Sequence, residues 1–422
     1  MVADEPVASD LVRLGVVPRQ GGLVPLRTKD EVRAALETFN AYVLEVPARH
    51  AGIVKDVVQA AIPDLKTADF QHLRRVVQFK YLPVHIQKKY RPPHPSRPRG
   101  DSGEVSSEND VAEDDDAARY FLISPSSAIA HAELVDVLKR NTPFADSSKP
   151  PVILTICVPA LAPTSAEQAA KWSVEYWPIS YKNTNPYGPH PSLVARNAAE
   201  IANDAGGLLG LADAVAEQTF SKGFGEKVAC VVVDRTAGIN EIIAVTGDCR
   251  WRCSGNDAPQ RDGPGNVMAH AVQRAIAMVA KKRLRVAGHD PASKPSPHSF
   301  CDSPLTSLEE HFYSKDNIPS NGYLCVDLDI YLTHEPCVMC SMAILHSRFR
   351  RCTFGRRMPL TGGLTADNAL PGKGGYISPT TGLGHGIFWR PSELNWKFLS
   401  WEWVEEDTAA MVKDSIKDTL QA

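Results

Sequence analysis

Three residues of this chain have the types and spacing of a metal site. Cys337 and Cys340 stand at C-x-x-C spacing in "EPCVMC", between an apolar strand-like run, "LCVDLDIYLT", and a stretch whose later part reads as a helix. Free amides at a helix start favour the thiolate form of cysteine. Two thiolates can grip one zinc ion together with a histidine from a second helix. His270 is the candidate for that third ligand, because it opens the amphipathic run "HAVQRAIAMVAKKR" directly after a pair of predicted strands. Three protein ligands leave a fourth tetrahedral position for water, which is the pattern of a catalytic zinc site; structural sites usually take four protein ligands. Hydrolysis at such a site also needs a titratable group to move protons. Val272, two residues after His270, has none.

Other residues compete for these roles. A literal His-Ala-Glu occurs at His131-Ala132-Glu133, but it lies on a predicted helix far along the chain from the two cysteines, where such side chains are ordinarily solvated. Glu335 precedes the Pro-Cys pair and is expected to be held by hydrogen bonds near the metal loop, not to replace the missing acid. Cys249 and Cys253 in "CRWRC" are read as free thiols. A C-x-x-C alone is also compatible with a redox pair or with two buried cysteines. The histidine helix and the intervening strand favour the metal.

The elements that must position these residues read as a layered α/β domain over 192–410. "SLVARNAAEIANDAGGLLGLADAVAEQTF" has helical spacing; "KVACVVVD" and "EIIAVTGD" are two strands joined by a turn. The histidine helix follows, then a Pro- and Ser-rich loop over 288–321, the strand before the cysteines, their helix, and the strand "RCTFGRR". Residues 1–158 read as a smaller α+β domain. Residues 1–40 are expected to be loosely ordered, with one short helix in "KDEVRAALETFNAY". Beyond them, strand–helix–strand occurs twice, which is the order of a ferredoxin-like split βαβ fold. Residues 159–191, rich in proline and tryptophan, read as a connector. The stretch near 91–118 is polar, basic and proline-rich and then acidic. It cannot bury enough apolar surface to offset its ordering entropy and is expected to be a disordered insertion.

The whole chain has 422 residues, a formal net charge of -3 and 43% hydrophobic residues, which suits two or three domains with sizeable cores. That charge excludes nucleic-acid binding by bulk electrostatics, so any such binding needs a local patch. One patch is the basic segment with His85, Lys88, Lys89, Arg91, Arg97 and Arg99, with Tyr90 among them; the alternative is a solvated linker balanced by the acidic run beside it. No apolar run approaches membrane-spanning length, and the N-terminus lacks an apolar signal core, so no membrane partner and an intracellular setting are expected. The nine cysteines are then thiols or metal ligands, not a disulfide framework.

These motifs resemble a known family. The histidine helix with "THEPCVMCSMAILHSR" resembles the H-x-E…P-C-x-x-C signature of zinc deaminases with one change. It is similar above all to the tRNA adenosine deaminases of the cytidine/deoxycytidylate deaminase-like family. With Val272, and with "GLGHGIFWRPSELNWKF" near the end, it resembles the non-catalytic subunits of eukaryotic wobble-adenosine deaminase heterodimers. Trp396 stands where histidine is usual. The likeness runs over roughly residues 150–405 and is weak in the N-terminal domain. It implies a three-layer α/β/α domain holding Zn2+, a catalytic H-x-E-bearing paralogue as partner, and conversion of adenosine to inosine at the first anticodon position of tRNA. This chain would be inactive alone and would support tRNA binding, its N-terminal domain gripping the tRNA body, in the nucleus and cytoplasm. An active deaminase of a free nucleotide and a zinc-stabilised RNA-binding scaffold are the competing readings.

Overall fold

The computed structural model describes residues 6–66, 70–91, 118–145, 147, 150–236, 240–252, 265–289, 302–367, 383–406 and 416–422. In chain order the elements are α1 (Pro6–Arg13), β1 (Gly21–Pro25), α2 (Lys29–Leu36), β2 (Thr38–Pro47), α3 (Ala51–Ala61), β3 (Val76–Gln78), α4 (Val84–Tyr90), β4 (Ala118–Pro125), α5 (His131–Lys139), β5 (Ile153–Pro159) and α6 (Ala166–Glu175). They continue with α7 (Pro191–Ser221), β6 (Ala229–Asp234), β7 (Glu241–Gly247), α8 (Ala271–Val286), α9 (Ser307–Tyr313), β8 (Leu328–His334), α10 (Val338–His346), β9 (Arg351–Arg356) and β10 (Leu399–Glu405). No helix of the described residues is long and apolar enough to cross a membrane.

The chain divides into two compact units, 33–187 and 1–32 together with 188–422. This corrects the boundaries read from the sequence. Residues 1–32 do not belong with the first domain: they supply α1 and the edge strand β1, which pairs antiparallel with β10 from Gly21↔Glu405 to Pro25↔Trp401. The connector expected over 159–191 is ordered structure. It forms α6, and Trp172 and Trp177 are buried in the core of the first unit. The basic and acidic insertion, with Arg97 and Arg99, lies outside the described residues.

The unit over 33–187 has a four-stranded antiparallel sheet in the order β3-β4-β2-β5. With one helix between β2 and β3 and one between β4 and β5, this is the ferredoxin-like arrangement expected. Helices α3 and α5 bury Val54, Val58, Leu134 and Leu138, one turn apart in each, on the sheet face carrying Leu44, Val46 and Ile123. The opposite face, with Val43, Tyr120 and Leu122, is also closed, by Ile86, Trp172 and Trp177. His131 and Glu133 sit exposed at the start of α5 and join no metal-binding group among the described residues, so the literal His-Ala-Glu is a surface feature.

The second unit is a six-stranded sheet, β1-β10-β9-β8-β6-β7, with helices on both sides. Strands β8, β9 and β10 run parallel; the remaining pairs are antiparallel. In β6 and β8, Val231, Val233 and Tyr331 pack with the α7 residues Leu208, Leu211 and Val215, while Cys230, Val232, Ile330 and Leu332 pack with α8 and α10. A strand buried on both faces is apolar throughout, and the result is the three-layer α/β/α domain expected. Two glycines of α7 are needed where residues 17–19 cross it. A Cβ at Gly206 would lie 2.4 Å from the Arg19 carbonyl oxygen, and one at Gly210 would lie 2.2 Å from that of Val17. Helix α9 lies inside the stretch read as a long loop, 288–321.

A buried polar network ties the layers together. Asp329 on β8 accepts from Arg351 on β9 at 2.8 Å and from Arg235 beyond β6 at 3.0 Å, and all three side chains are 1% exposed. Arg235 reaches Asp204 on α7 at 2.8 Å, and Arg351 reaches Glu200 at 2.9 Å. Removing the shared acceptor leaves two buried guanidinium groups short of charge. Asp329→Ala should therefore lower stability by about 3–5 kcal/mol. Urea unfolding of wild type and variant checks this; an unchanged midpoint would contradict it.

Candidate metal centre

Strands β7 and β8 both run antiparallel to β6, so their C-terminal ends lie at the same edge of the sheet. The metal residues sit there. His270 is the N-cap of α8 and Cys337 the N-cap of α10, and neither makes a side-chain capping hydrogen bond. Cys340 lies in the first turn of α10. Two helix N-termini, each with unsatisfied amides and positive dipole ends, thus converge where anionic sulfur is wanted.

The ligand atoms of His270, Cys337 and Cys340 all lie within 4.8 Å of one another, and all three residues are buried. His270 Nδ1 is 3.4 Å from Cys340 Sγ and 3.8 Å from Cys337 Sγ. Ligands bound tetrahedrally to zinc at about 2.3 Å for sulfur and about 2.05 Å for nitrogen would stand about 3.6 Å apart. The donor set, the burial and the spacing therefore fit Zn2+. A hydrogen bond from the Cys340 thiol, with His270 adding to it, pushes the Cys337 thiol down to about 4. The same hydrogen bond, together with burial and the charge held on Cys337, pushes Cys340 up. A bound dication would supply the positive charge that lets both sulfurs be thiolates, and would acidify a water in the remaining position.

No carboxylate joins this cluster among the described residues. Val272 is 1% exposed and belongs to the apolar core shared with Cys340, Leu364 and Phe388. Glu335 is occupied elsewhere, as expected from the sequence. Its carboxylate accepts from the amides of Met358 at 3.1 Å, Leu364 at 3.0 Å and Thr365 at 2.7 Å, which shapes the loop beside the cysteines. Burial pushes this carboxyl up, while the amide hydrogen bonds oppose the shift. A Cβ at Gly362 would lie 2.3 Å from the Glu335 carboxyl carbon, so the loop closes on the acid. Cys249 is buried and without a disulfide, and Cys253 lies outside the described residues.

Several residues that hold the centre were not singled out in the sequence. Arg274, one turn after His270, donates to Glu309 of α9 at 2.5 Å and to the Gly247 carbonyl at 2.6 Å, and both charged side chains are fully buried. An arginine on the apolar face of α8 is the signal in the sequence that points to such a pair. Residues 416–422, read as part of a polar tail, pack on the metal loop. The Cys337 amide donates to the Ala422 carbonyl at 2.9 Å and the Thr361 hydroxyl to that of Leu420 at 2.5 Å.

The remaining site residues read from the sequence lie in the other unit. Helix α4 is anchored by buried Ile86, by Gln87 donating to the Phe79 and Leu82 carbonyls, and by the Tyr90 hydroxyl on the Val43 carbonyl at 2.8 Å. Tyr90 therefore faces inward. Lys88, Lys89 and Arg91 are exposed, and neither lysine has an ion-pair partner among the described residues.

Replacing a sulfur ligand tests the centre. Cys337→Ala should reduce zinc from about one ion per chain to a small fraction of that. It should also lower the melting temperature, because metal-binding energy is folding energy. Elemental analysis of purified wild type without zinc would contradict this.

Comparison with known proteins agrees with this geometry. The model of the cytidine and deoxycytidylate deaminase zinc-binding region matches residues 207–356. The chain is 28% identical over 251 residues to the tRNA-specific adenosine deaminase subunit tad3 of Schizosaccharomyces pombe, covering 59% of each chain. It is 28% identical over 250 residues to the tRNA-specific adenosine deaminase subunit TAD3 of Saccharomyces cerevisiae, again covering 59% of each. With the Mus musculus protein named "Probable inactive tRNA-specific adenosine deaminase-like protein 3" it shares 27% identity over 319 residues, 74% of this chain and 79% of that one. The chain thus spans 59% of the length of the two yeast relatives. The matched region contains both helix starts and all three ligands, so the likeness to the cytidine and deoxycytidylate deaminase zinc-binding region lies at the metal centre itself.

Proposed function

We propose that this chain is the non-catalytic, zinc-holding subunit of a tRNA adenosine deaminase that converts adenosine to inosine at the anticodon wobble position. The observation that carries the proposal is a complete ligand set with Val272 where the proton-carrying glutamate belongs. Zinc can acidify water, but the chain then needs a group at the site to take that proton and pass it to the ring nitrogen and leaving amine. Glu335, the nearest acid in sequence, is bound by three amides. The catalytic glutamate would come from an H-x-E-bearing paralogue in an obligate heterodimer. The names of the yeast relatives support this assignment, and the word "inactive" in the name of the mouse relative supports the loss of catalysis.

In this reading the deaminase-like domain braces the partner's site, and the unit over 33–187 grips the tRNA. Both faces of that unit's sheet are covered, so the grip would not be an open sheet on which bases stack. Exposed Lys88, Lys89 and Arg91 on and beside α4 are the cations placed to meet phosphates; Arg97 and Arg99, beyond the described residues, would extend the set. The complex would work in the nucleus and cytoplasm. An active deaminase of free nucleotides is disfavoured by Val272, and a zinc-stabilised RNA-binding scaffold would show no deaminase partner.

Purification of the chain from its native cells should bring down an H-x-E deaminase, and the pair should form inosine in tRNA. The chain alone should deaminate neither adenosine nor cytidine, and Val272→Glu should add little, since a base must also be positioned. Deamination by the pure wild-type chain, or a monomer that associates with no such paralogue, would overturn the proposal.

Replacing Lys88, Lys89 and Arg91 by alanine should weaken tRNA binding to a similar degree across tRNA sequences. The salt dependence should become shallower by about 0.7–0.9 in slope for each phosphate that is no longer neutralised. Zinc content and pairing with the partner should not change. Unaltered affinity and salt slope would place the grip elsewhere.

A further inference from the structure

The unit over 33–187 contains a cavity of about 290 Å³ that the metal chemistry does not use. It is built from three segments distant in sequence: Gln71 and His72 before β3, Ala162 and Pro163 after β5, and residues 180–187 after α6. Their backbones are bound to one another. Ser180 donates its amide to the His72 carbonyl at 2.7 Å, and Arg74 donates to Pro178 at 3.0 Å. The Ala162 amide donates to the Tyr187 hydroxyl at 3.1 Å, which holds that side chain at the wall. Asn183, with φ of 54°, turns the chain within the last segment, in the left-handed region that asparagine tolerates. The cavity is therefore formed before any ligand arrives.

His72 supplies its most specific group. The ring is buried, and its Nε2 lies 3.0 Å from the Pro159 carbonyl oxygen. A carbonyl only accepts, so Nε2 carries the proton and Nδ1 is left as an acceptor. No protein group among the described residues takes that acceptor. Burial lowers the imidazole's proton affinity below its ordinary value, so the ring is neutral and this tautomer persists. Around it stand Tyr181, Tyr187, Pro163 and Pro186, with the exposed Lys182 beside Tyr181. Flat rings, one bare nitrogen acceptor and one cation match a planar heterocycle that carries an amino group and a phosphate.

We propose that this cavity receives a single unstacked nucleotide, its base between the tyrosine and proline walls, its amino group donating to His72 Nδ1 and its phosphate near Lys182. The choice of a nucleotide rests on the tRNA reading above. A bare acceptor facing the 6-position of a purine or the 4-position of a pyrimidine favours adenine and cytosine, whose exocyclic group there is an amino donor. Guanine and uracil put a carbonyl oxygen at that position and could donate to His72 only by turning another edge, the guanine N1–H or N2 amino group or the uracil N3–H, toward it.

Calorimetric titration of the full chain with AMP, CMP, GMP and UMP tests this without a partner or a deamination assay. AMP and CMP should bind at least about 5-fold more tightly than GMP and UMP, the value of one discriminating hydrogen bond at about 1 kcal/mol. Tyr181→Ala should weaken AMP binding about 10-fold, within the range for loss of one base–aromatic stack, while Tyr181→Phe should preserve it. Lys182→Ala should weaken AMP but leave adenosine unaffected. Tyr181 is half-buried and Lys182 exposed, so these variants separate binding from folding; His72→Gln, if folded, should erase the preference among bases. No binding of any mononucleotide, equal binding of all four, or an unaffected Tyr181→Ala variant would overturn the pocket. If the paired complex still deaminates tRNA while the mononucleotides fail to bind, only this inference falls. If the titrations succeed and no deaminase partner exists, the proposed function falls and the pocket remains.

Discussion

Helix α8 begins where it does because a fully buried arginine holds it. Arg274 and Glu309 are both removed from water, and an unpaired charge there would cost several kcal/mol. Their hydrogen bonds reach the Gly247 amide and carbonyl at the end of β7 and the Leu305 amide before α9. His270 is one turn from Arg274, so a shift of this pair would move the metal ligand with it. The outer edge of β7 depends on the same region. Lys282, 0% exposed, donates to the Ile243 and Phe312 carbonyls and to Asn317, and Asn317 donates to the Ile242 carbonyl. An edge strand that would otherwise offer free carbonyls is closed by side chains instead of another strand.

The same economy changes the meaning of a basic run. "KKRLR", Lys281 to Arg285, looks in sequence like a phosphate-binding cluster. In the fold each of its four cations is spent within the domain. Lys281 pairs with Asp302, Lys282 lies under α9, Arg283 binds the Pro319 and Leu324 carbonyls, and Arg285 pairs with Asp316. Lys88 and Lys89 have no such partners among the described residues, although the sequence alone lent them no better standing.

Much of the architecture was legible because burial writes a pattern into the chain. β6 and β8 are apolar runs, since both faces are covered, and α3 and α5 show the four-residue spacing of Val54/Val58 and Leu134/Leu138. The metal site was legible because zinc chemistry restricts ligand types and spacing. What escaped were elements specified by their partners. β1 has five residues, two of them glycine and one proline, with no strand propensity to read; it is a strand because β10 supplies its hydrogen bonds, and a Cβ at Gly21 would lie 2.3 Å from the Val404 carbonyl oxygen. Helix α9 has seven residues inside a Pro- and Ser-rich stretch and is held by its Thr306 cap and by Glu309. Helix α6 was hidden because the prolines and tryptophans in and around it read as a connector, whereas Trp172 of the helix and Trp177 just beyond it fill a core. The nucleotide-sized cavity could not be foreseen, because its three wall segments meet only in the fold.

The pairing of Gly21 with Glu405 has a consequence for how the chain is made. The unit over 33–187 interrupts the other, so β1 leaves the ribosome well before its partner β10. At ~5–20 residues per second, the separation between them corresponds to roughly 20–80 s of synthesis. The interrupting unit has its whole sequence available within that interval and can fold as a unit. β1 meanwhile waits with its backbone groups unpaired. A short strand with little apolar surface, two glycines and a proline is a poor template for wrong pairing. The weakness that hid β1 from sequence reading also protects the nascent chain.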